Sequence, residues 1–320
     1  MDEIIKQMPK VELHLHLEGA FTFEFLFDQI RKYGGVPEIQ SVAEMERKFV
    51  FRDFPHFIET WIDFEQSTYH TLENLSRQNV VYAEVFYSPW DFVRHGISVA
   101  EITKSTLAGI DQARRDFGIE CRLIADLIRD FGAGTAIERL DEITPFLGKT
   151  LIGIGIGGSE QEFPPAPFKP VYDEARRRGF RLTAHAGEAA GPKSVRDAVD
   201  ILGAERIGHG VRAVEDPALV AKLNERQIPL DICVTSNLKT NIFKSAQEHP
   251  IRRFFDQGLL VTVNSDDPAM FGATITDELL LLHNELGFTL HELHQLQLNA
   301  VASAFLTSEE KTQYHKIITG

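Results

Sequence analysis

A closed (β/α)8 barrel is the fold this sequence predicts, and three observations predict it. Eight short apolar stretches alternate with stretches of helical periodicity at βα spacing. No Gly-x-Gly-x-x-Gly follows the first of them, which disfavours an open doubly wound sheet around a dinucleotide. The unusual polar residues fall at strand ends, where a barrel gathers distant parts of a chain at one mouth. All 320 residues are assigned to one such domain.

The first strand is Val11–Gly19. Leucines and a valine alternate with Glu12, His14, His16 and Glu18, the period of a strand with two unlike faces. Thr22 caps a helix whose Phe23, Leu26, Phe27 and Ile30 share a face, and Gly34-Gly35 ends it. Residues 36–79 form a helical insertion rich in aromatics (Phe49, Phe51, Phe54, Phe57, Trp61 and Phe64). Most aromatics at such spacing are core, but an insertion this long between two strands exceeds a connector, and a lid over a pocket is the second reading. Strand two is Val80–Tyr87, followed by a helix over Ser98–Phe117 and strand three over Glu120–Ile128. A helix over Thr135–Leu147 leads to strand four, Leu151–Ile156, then a proline-rich loop and a helix over Phe168–Arg178. Gly153, Gly155 and Gly157 mark close packing or a substrate loop.

Strand five is Arg181–Ala186, with a helix over Lys193–Leu202 and strand six at Arg206–His209. Asp216-Pro217 opens the next helix, with proline at its first position. Strand seven is Ile228–Val234, a helix covers His249–Gln257, and strand eight is Leu259–Asn264. Two helices, near Thr276–Leu286 and Leu290–Leu306, complete the set.

Composition narrows the partners. With 43% hydrophobic and 25% charged residues the chain has ordinary globular usage. A formal net charge of -14 disfavours nucleic acid and acidic membranes, leaving small solutes as expected partners. Cys121 and Cys233 are far apart in apolar runs, which fits a reducing cytoplasm and excludes a disulfide framework. The N-terminus lacks a basic region followed by an apolar core, and no apolar run is long enough to span a bilayer.

His14 and His16 are two apart and so share one face of strand one, a start on a metal site. His185 ends strand five, His209 ends strand six, and Asp266-Asp267 follow strand eight. His14, His16, His185 and Asp266 make a nitrogen and oxygen ligand set without thiolate, for which zinc is the first expectation among divalent transition metals. No lysine ends strand four to bridge a second ion, so one ion is expected. A fifth ligand would crowd it, so His209 is placed beside the ligands, polarising water. Glu188, three after His185 and past the turn-permitting Gly187, sets a carboxyl at the same mouth.

Pro9–Gly19, His185-Ala186-Gly187-Glu188, His209-Gly210, Thr235-Ser236-Asn237 and Ser265–Pro268 together resemble the adenosine deaminase family of the amidohydrolase superfamily. The motifs occur in the family's order from Pro9 to about Phe271. The resemblance implies a zinc-dependent barrel that hydrolyses the 6-amino group of a purine, with His14, His16, His185 and Asp266 on zinc. It implies that Glu188 protonates purine N1, that His209 and Asp266 serve the attacking water, and that Gly158 and Asp267 contact the ring. His16 would also border the substrate.

Substrate choice centres on Glu18. The family's adenosine deaminases usually carry Asp there, against ribose, whereas its adenine deaminases have His-Leu-Glu-Gly. Thr235-Ser236-Asn237 looks more like the adenosine branch, and adenosine is the expected substrate. Adenine and aminodeoxyfutalosine are the alternatives. A metal-dependent phosphoesterase also fits a His-x-His strand, and a silent binding protein is disfavoured by the presence of both Glu188 and His209.

Overall fold

The computed structural model describes residues 1–32, 39–48, 63–93 and 96–320. Eight strands form one sheet in the order of the chain, every neighbouring pair parallel. They are β1 Lys10–His16, β2 Val80–Tyr87, β3 Glu120–Asp126, β4 Leu151–Gly155, β5 Arg181–Ala186, β6 Arg206–His209, β7 Leu230–Ile232 and β8 Val261–Val263. The ends meet where Leu15 pairs with Asp266: the Asp266 N–H donates to His14 O at 3.1 Å, and Asp266 O accepts from His16 N–H at 2.9 Å. Helices separate the strands, as the (β/α)8 pattern requires.

Alternation along β1 explains its two roles. Val11 and Leu13 pack outward with Ala300, Val301 and Ala304, while Glu12 and His14 are buried on the other side. Beneath the mouth the barrel encloses an ion-paired layer. The Arg206 guanidinium lies 2.6 Å from Glu84 and 2.6 Å from Asp231, all three fully buried, with Phe305 stacked 4.3 Å from the cation.

Several boundaries differ from the sequence expectations. β1 ends at His16, and Leu17–Gly19 is a 3-10 turn, so Glu18 leaves the face that carries the histidines. β3 stops at Asp126, whose carboxylate takes the N–H groups of Ile128 and Gly157 and turns the chain. β7 stops at Ile232 because Glu278 captures the amides of Val234 and Thr235, starting a helix over Val234–Lys239. Among the described residues, helices the sequence reading did not predict also lie at the two ends of the chain. Asp2–Gln7 precedes β1, and Ser308–Thr319 follows a Thr307/Glu310 capping box.

Thr22 caps its helix as expected, through Phe25 N–H at 3.2 Å. Of the insertion, helices Val42–Lys48 and Phe64–Arg77 are described. Gly34-Gly35, Phe49, Phe51, Phe54, Phe57 and Trp61 lie outside the described residues. Gly153, Gly155 and Gly157 serve close packing: a Cβ there would sit 2.9, 2.9 and 2.5 Å from Arg181, Phe86 and Asp126. Both cysteines are buried and free. Among the described residues no helix is long and apolar enough to cross a membrane.

Candidate active site

The expected histidines and aspartate converge at the ends of β1, β5, β6 and β8. His14 Nε2 lies 3.4 Å from Asp266 Oδ1, His16 Nε2 3.5 Å from the same oxygen, and His16 Nε2 3.1 Å from His185 Nε2. Phe86 on β2 packs between the imidazoles, its ring 4.9, 5.1 and 5.2 Å from those of His14, His16 and His185. Gly208 gives His14 its space, since a Cβ there would lie 2.7 Å from the ring. Asp266 adopts φ +64°, a left-handed conformation fixed by its two bonds to β1.

His209 is fully enclosed, also at positive φ, with Nε2 3.5 Å from Glu188 Oε2 and 3.8 Å from Asp266 Oδ2. Glu188 follows Gly187, whose φ of +72° makes the tight turn expected. What holds that turn is Glu160, a residue the sequence reading passed over. Its buried carboxylate accepts the N–H groups of Gly187 at 2.5 Å, Glu188 at 3.2 Å and Ala190 at 2.8 Å.

Charge is unevenly spread over these groups. Burial pushes His14 down to about 3 and His185 well below the ordinary value, so both offer neutral nitrogens. Asp266 stays ionised despite burial, because His14, His209 and His16 hold it well below the usual carboxylate range. Burial raises Glu188, and Asp266 and Glu160 push the same way against the pull of His209. For His209 burial acts downward, yet the Glu188 and Asp266 carboxylates outweigh it and the ring is raised.

The remaining expected residues line the same mouth. Glu18 Oε1 accepts Ser88 N–H at 2.7 Å, and burial pushes the carboxyl up to about 8. Asp267 packs against Gly19, where a Cβ would sit 2.0 Å from its oxygen. Burial, then the Asp266, Glu18 and Glu188 charges, raise it well above the usual range. Gly158 has φ +95°, and a Cβ there would sit 1.9 Å from Asp130. Sequence reasoning missed Glu12, buried two residues before His14, which accepts the N–H and hydroxyl of Ser265 at 2.7 and 3.2 Å and so anchors the residue before Asp266.

These donors fit a metal ion. Ligand atoms of His14, His185, His209 and Asp266 lie within 4.8 Å of one another, and so do those of His16, Asp266 and Asp267. Among the described residues neither ring nitrogen of His14 has a hydrogen-bond partner, though the ring is fully buried, and His185 Nδ1 is likewise unpartnered. Uncharged buried nitrogens facing an ionised carboxylate are what a divalent cation requires and what folding alone leaves costly.

Comparison with known proteins agrees with this geometry. The sequence profile of the adenosine deaminase family matches residues 9–319. A protein named adenine deaminase from Hahella chejuensis is 34% identical over 98% of this chain and 96% of its own. Another, from Caulobacter vibrioides, is 35% identical over 97% of this chain and 93% of its own. The crystal structure of adenine deaminase from Arthrobacter aurescens superposes with a TM-score of 0.92 at 30% identity, covering 98% of each chain. An amidohydrolase from Burkholderia ambifaria with bound Zn gives 0.91 at 30% identity, covering 99% of this chain and 91% of that one. The chain thus belongs to the adenosine deaminase family and is a metal-dependent hydrolase acting on C–N bonds.

Proposed function

We propose that this protein is a zinc-dependent adenine deaminase, hydrolysing the 6-amino group of the free base to give hypoxanthine and ammonia. What supports the base over the nucleoside is that full-length relatives carry that name, in a chain with Glu18 where adenosine deaminases usually have Asp. The expectation of adenosine is revised accordingly. It rested on Thr235-Ser236-Asn237, but those residues lie in the helix Val234–Lys239, where Thr235 N–H is bound by Glu278 and Asn237 faces His209. They serve the frame of the site, so they say little about a sugar.

In this reading His14, His16, His185 and Asp266 hold one zinc ion. Zinc supplies Lewis acidity, lowering the pKa of a water from 15.7 to about 7. Glu188, kept protonated by burial, donates to purine N1 and draws electron density from C6. His209 orients the attacking water, with Asp266 beside it as a carboxylate. Gly158 contacts the ring edge, and Asp267 and Glu18 meet its nitrogens. Carboxyls at the mouth suit N–H groups of a free base and oppose a phosphate. The 320 residues act as one domain; the lid expected over 36–79 falls partly outside the described residues. Two free, buried cysteines suit the cytoplasm.

Ammonia release by the zinc-loaded protein with adenine, adenosine, deoxyadenosine and aminodeoxyfutalosine tests the reading. We expect kcat/KM for adenine to exceed the others by on the order of 10²-fold or more. Equal turnover of a nucleoside returns the substrate to that class, and phosphate release from small esters without ammonia overturns deamination altogether.

A further inference from the structure

Behind His209 runs a chain of buried polar groups whose directions are all determined by its far end. Ile251 N–H, at the start of the helix Ile251–Asp256, donates to His249 Nδ1 at 3.2 Å. A backbone N–H can only donate, so His249 Nδ1 carries no proton. Burial lowers His249 to about 3, so the ring is neutral and its one proton sits on Nε2. That nitrogen lies 3.1 Å from Asn237 Oδ1, which accepts. The amide therefore turns its Nδ2 toward His209 Nδ1, at 3.1 Å, and donates. Asn237, His209 and His249 are 0, 1 and 4% exposed, so no solvent competes along this path.

We infer that His249 and Asn237 fix the tautomer of His209, so that it presents a hydrogen-bond donor, Nε2–H, to the mouth and has no lone pair there. Three things follow. With Nε2 protonated, His209 is excluded from the metal's ligand set although its ring lies among the ligands, which leaves His16 as the fourth. His209 then orients a water by donating to its oxygen and cannot take that water's proton at Nε2, so the proton goes to a carboxylate, of which Asp266 Oδ2 is 3.8 Å away. Finally, His249 touches neither substrate nor metal ligands and acts as a positioning residue through Asn237. Reversing the tautomer would require the amide to flip and His249 to carry its proton on Nδ1, where that N–H would point at Ile251 N–H.

The kinetic consequence rests on the adenine deaminase reading, whereas the tautomer does not, so the two are tested apart. Histidine-15N-labelled protein, zinc-loaded and zinc-free, is examined by long-range 1H–15N correlation. His209 is expected to carry its proton on Nε2 in both forms. Asn237→Asp replaces the donor by an acceptor and should move the proton to Nδ1, with kcat on adenine falling about 10²-fold or more while KM and zinc content hold. His249→Leu should mix the tautomers and lower kcat, and His249→Gln, whose amide still donates to Asn237, should restore both. A proton on Nδ1 in the wild type overturns the inference. So does an unaltered tautomer in Asn237→Asp or, should that variant not fold, in His249→Leu. A fixed tautomer without adenine turnover would leave the inference standing and remove the substrate reading.

Discussion

The carboxylate of Glu160 accepts the backbone N–H of Glu188 at 3.2 Å, so one buried acid holds the chain that presents another. Glu160 also takes the amides on either side, and its charge helps keep Glu188 protonated after burial has raised it. Glu160→Gln removes both effects. We expect kcat to fall by about 10–10²-fold through misplacement of Glu188, with zinc content unchanged. The alkaline limb of the pH profile should also move to lower pH, because an acid that loses a neighbouring negative charge ionises earlier. An alkaline limb that stays in place would remove Glu160 from the electrostatics of the site.

Glu188 and Asp266 should separate chemistry from metal. Glu188→Gln keeps the ion but cannot give a proton to N1, and deamination should drop by about 10²–10⁴-fold. Asp266→Ala loses the one ionised ligand and should lose metal and activity together. Metal analysis beside ammonia release distinguishes them, and full activity in the Gln variant would sink the proposed role.

Glu278 gives a pH dependence of stability. It is fully buried and, despite the Val234 and Thr235 amides, burial pushes it up to about 7 from 4.5. Below 4.5 it is neutral in both folded and unfolded chains. As pH rises through 4.5 to 7 only the unfolded chain ionises, so this group's stabilisation is progressively lost, by at most about 3 kcal/mol. Urea denaturation of the metal-stripped protein should show Glu278→Gln gaining on the wild type from pH 5 to pH 8. A pH-independent difference would refute it.

Arg206 should matter to stability alone. Arg206→Met strands Glu84 and Asp231 as buried unpaired carboxyls, which costs about 3–5 kcal/mol in denaturant titration. Adding Glu84→Gln and Asp231→Asn should recover part of that loss, whereas no recovery would mean packing, not charge, decides.

The barrel and the convergence of His14, His16, His185, His209 and Asp266 were legible because strand periodicity and strand-end position are local signals. β7 and β8 were overextended because their three-residue cores end where Glu278 and Asp266 bind backbone groups far away in sequence. The helix Ser308–Thr319 had a readable signal in Thr307-x-x-Glu310, which was not taken up. Glu160 and His249 gave no such signal. Each acts through atoms of residues nearly thirty positions or a dozen away, and their side chains alone look like a loop acid and a helix start.

The junction of Asp266 with His14 and His16 has a further meaning for the chain as a polymer. It joins residues some 250 positions apart, the longest loop the barrel closes, at the very point where the proposed ligands from both ends lie together. A bound ion would therefore act as a removable cross-link between the first and last strands, stabilising the closed ring by its own binding free energy. Stripping the ion should loosen β1 from β8 ahead of the rest, which amide exchange at His16 and Asp266 would register.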